Sequence, residues 1–196
     1  VLLNLKCLKT VYRKYYMAAT QRIYITGFMG AGKSTVAPRV AKKLQYDCVD
    51  LDEQITTKLG MSAPAIFDVL GEPVFREEEK ACLLDSSRTT NIVISLGGGT
   101  LTQEDNLSRC LASGFLIYLK ASAAFLAHRL SQSRQTRPLL FGSQGNMLEG
   151  AELEARIQHL LTQRKSVYER AHKTIEIDGV EATQVVKLVL DAVRHR

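Results

Sequence analysis

No apolar run in this chain approaches the ~18–20 residues that a bilayer-spanning helix requires, so neither a membrane span nor a membrane partner is expected. Cysteine is sparse. Cys7, Cys48, Cys82 and Cys110 are scattered with no C-x-x-C spacing, which excludes a small disulfide framework. Their placement fits packing residues or free thiols in a reducing, cytosolic setting. Internal repeats are absent, and no linker-like stretch divides the chain. At 196 residues, 45% hydrophobic and 23% charged, the composition matches one well-buried core. Acidic residues are missing from residues 1–22, which carry Lys6, Lys9, Arg13, Lys14 and Arg22. Nearly all of the net charge of +6 therefore lies in that extension and not on a folded face, so no nucleic-acid partner is expected. The opening VLLNLKCLKTVYRKYY has neither the continuous apolar core nor the small-residue cleavage pattern of a secretory signal. It is acid-poor like an organellar transit peptide yet contains no serine. This basic extension is expected to be disordered or, with Met17 as the true start, not native. The folded domain is expected over 23–196.

What is present starts with Ile23 to Thr35, IYITGFMGAGKST. A short β-branched and aromatic run leads into Gly27-Phe-Met-Gly30-Ala-Gly32-Lys33-Ser34, which fits G-x-x-x-x-G-K-[ST] at each fixed position. Glycines let the backbone curl so that successive N–H groups point inward as an anion nest. The helix that follows adds its dipole and its unpaired N–H groups. Lys33 then reaches the β/γ-phosphates and the Ser34 hydroxyl ligates Mg²⁺. The context fits, with an apolar strand before and Val36, Val40 and Leu44 at helical spacing after. This is a phosphate-binding loop, with Gly30, Ala31, Gly32, Lys33, Ser34 and Thr35 expected on the nucleotide. Pro38 falls inside the helix, where it denies a hydrogen bond to the Ser34 carbonyl.

Further along, Tyr46 to Leu51 reads as a second strand ending in Asp50 and Asp52. Residues i and i+2 of an extended chain point the same way, so both carboxylates are expected to face one cleft. Taken alone, D-x-D also reads as a helix start with solvated acids. Helices are expected over 53–59, 65–70 and from Gly71 to about Ser87, where Pro73 suits a first turn. Arg76 and Glu79 are i, i+3 neighbours there, a spacing that by default gives a surface ion pair. Asn91 to Leu96 reads as a buried strand closed by Gly97-Gly98-Gly99, either a loose turn or backbone that approaches a ligand. A helix over 103–112, a strand over 115–119 and a helix capped by Ser122 follow. Residues 131–149 are rich in Gly, Ser and Gln, with Arg129, Arg134 and Arg137 crowding their start, and read as a mobile lid. A helix over 153–171 sets Arg164 and Tyr168 at i, i+4; a fifth strand and an apolar-striped helix complete the chain. The alternation predicts an α/β fold, a three-layer α/β/α sandwich around a five-stranded, mostly parallel sheet. Ligands of such a sheet lie at the carboxyl ends of its strands, where the loop, the two aspartates and the glycines would gather.

Taken together, these motifs resemble shikimate kinase, within the nucleoside-monophosphate-kinase group of P-loop folds. The resemblance rests on the phosphate loop, VDLD at 49–52, GEPVFREEE at 71–79, SLGGG at 95–99, RPLL at 137–140 and R-x-x-x-Y at 164–168. It implies ATP-dependent phosphorylation of the 3-hydroxyl of shikimate by a monomeric cytoplasmic enzyme, with Mg²⁺ held by Ser34 and, through water, Asp50. It also implies that Lys33, Asp52 and Arg137 are catalytic and that Asp52 orients or deprotonates the attacking hydroxyl. Arg76 and Arg164 would grip the substrate carboxylate, with Glu79 holding Arg76. Gly97, Gly98 and Gly99 would meet the substrate by backbone, and Phe67 and Phe75 would wall the ring. Arg137 would reach the phosphates from the lid, and Arg129 would lie against adenine, with Arg134 as its competitor. Pro38, Pro64 and the basic extension depart from the family's usual pattern. The competing readings are a gluconate or nucleoside-monophosphate kinase of the same fold, and a non-catalytic ATP-binding module.

Overall fold

The computed structural model describes residues 22–133, 137–142 and 146–196; nearly all of the basic extension, with Cys7 and Met17, and Arg134 lie outside the described residues. Among the described residues the chain forms five strands: β1 (Arg22–Thr26), β2 (Asp47–Asp50), β3 (Ile92–Ser95), β4 (Phe115–Lys120) and β5 (Lys173–Glu176). They pair in parallel throughout, in the order β2-β3-β1-β4-β5. Eight α-helices connect or flank them: α1 (Lys33–Leu44), α2 (Leu51–Leu59), α3 (Ala63–Val69), α4 (Gly71–Ser86), α5 (Glu104–Ser113), α6 (Ala123–Ser131), α7 (Gly150–Tyr168) and α8 (Ala182–Arg194).

The strands of a sheet covered on both faces read as near-continuous apolar runs, and β1, β3 and β4 do so. Alternate residues of β1 serve the two faces. Ile23 and Ile25 pack with Val36 and Val40 of α1, Leu126 of α6, Ile157 of α7 and Val189 of α8. Tyr24 packs on the other face with Ile55, Phe75, Leu83 and Leu107 from α2, α4 and α5. The result is the expected three-layer α/β/α sandwich.

Register sets the functional edge. Ser95 lies opposite both Ile25 of β1 and Asp50 of β2, so these three residues form one row. Gly27, Asp52 and Gly97 each stand two residues beyond that row, and the phosphate loop, α2 and the glycine triplet therefore leave the sheet side by side.

Three local expectations change. The second strand ends at Asp50, not Leu51, and Asp52 lies in the first turn of α2 and not in extended chain. Asp50 is the N-cap: its carboxylate accepts hydrogen bonds from the N–H groups of Asp52 and Glu53 at 3.1 and 3.4 Å, which turns the chain into the helix. The described residues of the 131–149 segment are more structured than a bare loop, with a 3₁₀ turn at Pro138–Leu140, an antiparallel bridge between Phe141 and Met147, and a fully buried Leu140. Pro64 needs no special account, because it sits in the first turn of α3, where a missing N–H costs no helical bond. Helix α1 runs through Pro38. Cys48, Cys82 and Cys110 are free thiols, and burial pushes Cys110 up to about 12, as expected of a packing residue. Among the described residues no helix is long and apolar enough to cross a membrane.

The turn before β4 is tight. A Cβ on Gly114 would fall 2.6 Å from the Arg22 carbonyl and 2.7 Å from the Tyr24 ring, whose hydroxyl is tied to Ser113 Oγ at 2.8 Å. Gly114→Ala is therefore expected to destabilise by about 1–3 kcal/mol, lowering the melting temperature by about 2–4 °C per kcal/mol. Circular-dichroism melts check this, and an unchanged midpoint contradicts it.

Candidate active site

The phosphate loop uses glycine where the backbone turns left-handed, at Gly30 (φ 83°) and at the α1 N-cap Gly32 (φ 89°). Lys33 opens α1 and is buried. Its ammonium donates to the carbonyls of Gly27 and Phe28 at 2.9 and 3.2 Å, folding the side chain back over its own loop. Burial lowers the Lys33 pKa, and the nearby carboxylates of Asp52 and Asp50 oppose that. Ser34 Oγ donates to Asp50 Oδ2 at 2.6 Å, and Ser95 Oγ donates to the same oxygen at 2.8 Å. Asp50 therefore joins the start of α1, the end of β3 and the cap of α2. A hydroxyl beside a carboxylate, next to a phosphate loop, suits Mg²⁺, which takes one or two protein oxygens and keeps several waters. Among the described residues no group of three His, Cys, Asp or Glu competes as a metal site.

Asp52 opens on the cleft beside this clamp. Surrounding protein nevertheless desolvates its carboxyl and raises the pKa above the usual range; Lys33 pulls the other way, and Asp50 adds to the rise. A Cβ on Gly97 would fall 2.7 Å from Asp52 Oδ1 and 2.8 Å from Glu79 Oε1, so glycine is what lets two carboxylates close on this backbone. Glu79 of α4 is fully buried. It accepts from Arg76 Nη1 at 2.9 Å and from the Thr100 hydroxyl at 2.5 Å. Desolvation raises the Glu79 pKa, with both donors holding it down. Arg76 also donates from Nε and Nη2 to Glu72 Oε1, at 3.1 and 3.0 Å. Burial works against the Arg76 charge, but the two glutamates outweigh it and raise the pKa. The guanidinium lies over Gly99, whose added Cβ would be 2.8 Å from Nη2.

From the other side, Arg164 of α7 donates to the Gly98 carbonyl at 3.0 Å, and Tyr168 one turn on donates to the same oxygen at 2.6 Å. The Arg164 guanidinium carbon stands 5.6 Å from the centre of the Phe28 ring. Two arginines thus converge on adjacent glycines. Arg137, N-terminal to the 3₁₀ turn, is half-buried and close enough to Asp52 and Lys33 for their charges to interact. Desolvation lowers its pKa, opposed by Asp52. Phe67 and Phe75 stack with centroids 4.7 Å apart, and Arg76 stands over Phe75. On the far side of the loop, Gly32 and Thr35 floor a pocket walled by Phe125, Arg129, Ile177 and Val180, with Arg129 5.5 Å above the Phe125 ring.

The expected residues therefore fall in one place, along the edge where β1, β2 and β3 end, with Arg129 on the outer flank of the phosphate loop. Arg134 lies outside the described residues. Sequence reasoning missed the partners: Glu72 and Thr100 around Arg76, Ser95 on Asp50, and the Tyr168 bond to Gly98. Each stands in or next to a motif already noted, and the i, i+4 spacing of Glu72 and Arg76 was a usable signal.

A raised carboxyl pKa carries a sign for stability. The folded form of Asp52 holds its proton more tightly than the unfolded chain, so its contribution is full in acid and is lost as pH rises through the raised value. Asp52→Asn cannot ionise and is expected to melt higher than wild type at pH 7, with the gap closing as pH falls toward about 4. A lower midpoint for the variant at pH 7 contradicts this.

The sequence profile of the family described as shikimate kinase matches residues 29–194. The shikimate kinase of Salinibacter ruber is 40% identical over 157 residues, covering 80% of this chain and 77% of that protein. Among solved structures, shikimate kinase from Bacteroides thetaiotaomicron superposes with a TM-score of 0.81 at 31% identity, covering 89% of this chain and 99% of that one. Shikimate kinase from Acinetobacter baumannii, solved in complex with shikimate, gives a TM-score of 0.80 at 29% identity, covering 91% and 96%. With a phosphate loop, an Asp50 clamp and two arginines meeting on a glycine turn, and with relatives of this likeness, the chain belongs to the shikimate kinase family.

Proposed function

We propose that this protein transfers the γ-phosphoryl group of ATP to the 3-hydroxyl of shikimate, giving shikimate 3-phosphate and ADP. The observation that carries this reading is the meeting of Asp52, Arg76 and Arg164 around Gly97–Gly99, on the side of the phosphate loop that holds Lys33. A ring acid with hydroxyls fits that arrangement. Two planar guanidinium forks match a carboxylate, and a carboxylate at the other end takes a hydroxyl.

In-line phosphoryl transfer needs positioning and charge neutralisation more than covalent chemistry. Lys33 is placed to leave its loop carbonyls and hold the β/γ-phosphates, with the loop amides of Gly30, Ala31, Gly32, Ser34 and Thr35 around them. Ser34 and Asp50 would hold Mg²⁺, which when bound neutralises charge on the phosphate oxygens. Asp52 accepts the proton of the attacking hydroxyl, and its raised pKa brings it closer to the working pH of a general base. Arg76, steadied by Glu72 and Glu79, and Arg164, steadied by Gly98 and Phe28, receive the substrate carboxylate. Gly98 and Gly99 present backbone, and Phe67 and Phe75 wall the ring. Residues 131–149 act as a lid that brings Arg137 onto the transferring phosphoryl group and excludes water. Arg129 and Phe125 bracket the nucleotide base. Residues 23–196 work as a single kinase domain, monomeric and cytosolic.

Shikimate-dependent ADP release with ATP and Mg²⁺, set against gluconate and nucleoside monophosphates as acceptors, tests the reading; turnover that ignores shikimate ends it. Asp52→Asn is expected to lower kcat by about 10²–10⁴-fold while ATP affinity stays near wild type. Unchanged turnover would remove Asp52 from the chemistry. Arg76→Ala is expected to raise the KM for shikimate and spare that for ATP, and a defect confined to ATP would refute the carboxylate assignment.

A further inference from the structure

Thr100 has no part in the reaction just described, yet it is fully buried beside it and every polar group it owns is engaged. Its N–H donates to Gly97 O at 3.3 Å, closing the glycine turn. Its carbonyl accepts from the buried Asn106 Nδ2 of α5 at 3.1 Å, which fixes its position from behind. Its hydroxyl donates to Glu79 Oε1 at 2.5 Å, while the other Glu79 oxygen accepts from Arg76. A chain of hydrogen bonds thus runs from α5 through Thr100 and Glu79 to a guanidinium facing the cleft.

Glu79 needs that donor. It is a buried carboxylate with Asp52 across Gly97, so both desolvation and like charge favour its protonated form. The groups facing it are Arg76 and Thr100, which hold the charge, and Asp52 of α2, which opposes it. A proton on Glu79 would weaken the grip on Arg76 Nη1 and leave Glu72, an exposed side chain, as the charged carboxylate still paired with the guanidinium.

We propose that Thr100 is a positioning residue for the acceptor substrate: its hydroxyl keeps Glu79 charged and aimed at Arg76, so that Arg76 meets the substrate carboxylate in a fixed orientation. The inference rests on the reading of Arg76 as a carboxylate ligand. Loss of the hydroxyl acts on substrate capture and not on phosphoryl transfer. It also makes capture fail at a higher pH, because Glu79 then protonates more readily.

Steady-state kinetics across pH, with shikimate varied at saturating ATP, compare wild type with Thr100→Val, Thr100→Ser and Arg76→Ala. Thr100→Val should raise the KM for shikimate about tenfold, the loss of one hydrogen bond to a charged group. Its kcat should stay within about twofold of wild type, and the acid limb of kcat/KM should move to higher pH. Thr100→Ser keeps the hydroxyl and should restore both. In an Arg76→Ala background, Thr100→Val should add nothing to KM, whereas a merely structural effect would add fully. Wild-type KM and acid limb in Thr100→Val overturn the proposal, as does a Thr100→Ser variant that behaves like Thr100→Val. An Arg76→Ala enzyme with normal shikimate KM overturns instead the assignment of Arg76. Should Thr100→Val not fold, Thr100→Ala removes the same hydroxyl and carries the same comparison.

Discussion

The Asp50 carboxylate is the tie on which the site depends. One oxygen caps α2, and the other accepts from a hydroxyl of the phosphate loop and a hydroxyl at the end of β3. A helix cap is worth about 1 kcal/mol, and hydrogen bonds to a charged group about 1.5–3 kcal/mol each. One side chain therefore fixes where α1, α2 and β3 stand relative to one another. Because Asp52 and Gly97 both lie two residues past that row, the clamp also fixes the spacing between Asp52, glycine turn and phosphate loop. The parallel register of β1, β2 and β3 makes this possible, since the three strands end on the same edge.

The site gathers charge that the fold alone would not choose. Lys33 loses basicity through burial, Asp52 and Glu79 gain it, and Arg137 is desolvated beside them. Each shift arises from placing an ion where water is scarce, and each is tempered by a neighbour of opposite sign. The core on both faces of the sheet bears the cost, as is common where a catalytic cleft is cut into a stable scaffold.

Much of this was legible beforehand, for reasons that differ by element. The phosphate loop was readable because its glycines answer a backbone demand at fixed spacing, and the sheet was readable because buried parallel strands leave short apolar runs such as NIVISL. Arg76 and Glu79 were readable because helical spacing places them together. The boundary at Asp50 was legible only as a choice: V-D-L-D alternates like a strand, while D-x-D also reads as a helix start, and the Asp52 and Glu53 N–H groups on Asp50 decide for the helix. The Ser34 and Ser95 hydroxyls on its other oxygen come from distant segments and were not legible. The Thr100 bond to Glu79 spans 21 residues, and nothing local to either side chain announces it. The turn and bridge escaped for a related reason, since a polar, glycine-rich composition hides the buried Leu140 beside them.

The central claim is that donor and acceptor meet in one cleft organised by that clamp. A crystal structure of the enzyme with shikimate, Mg²⁺ and a non-hydrolysable ATP analogue tests it most directly. The account predicts the shikimate carboxylate on Arg76 and Arg164, a ring hydroxyl against Asp52, and that hydroxyl about 3–3.5 Å from the γ-phosphorus. Shikimate bound away from the Gly97–Gly99 turn, or with its carboxylate on other residues, would contradict it.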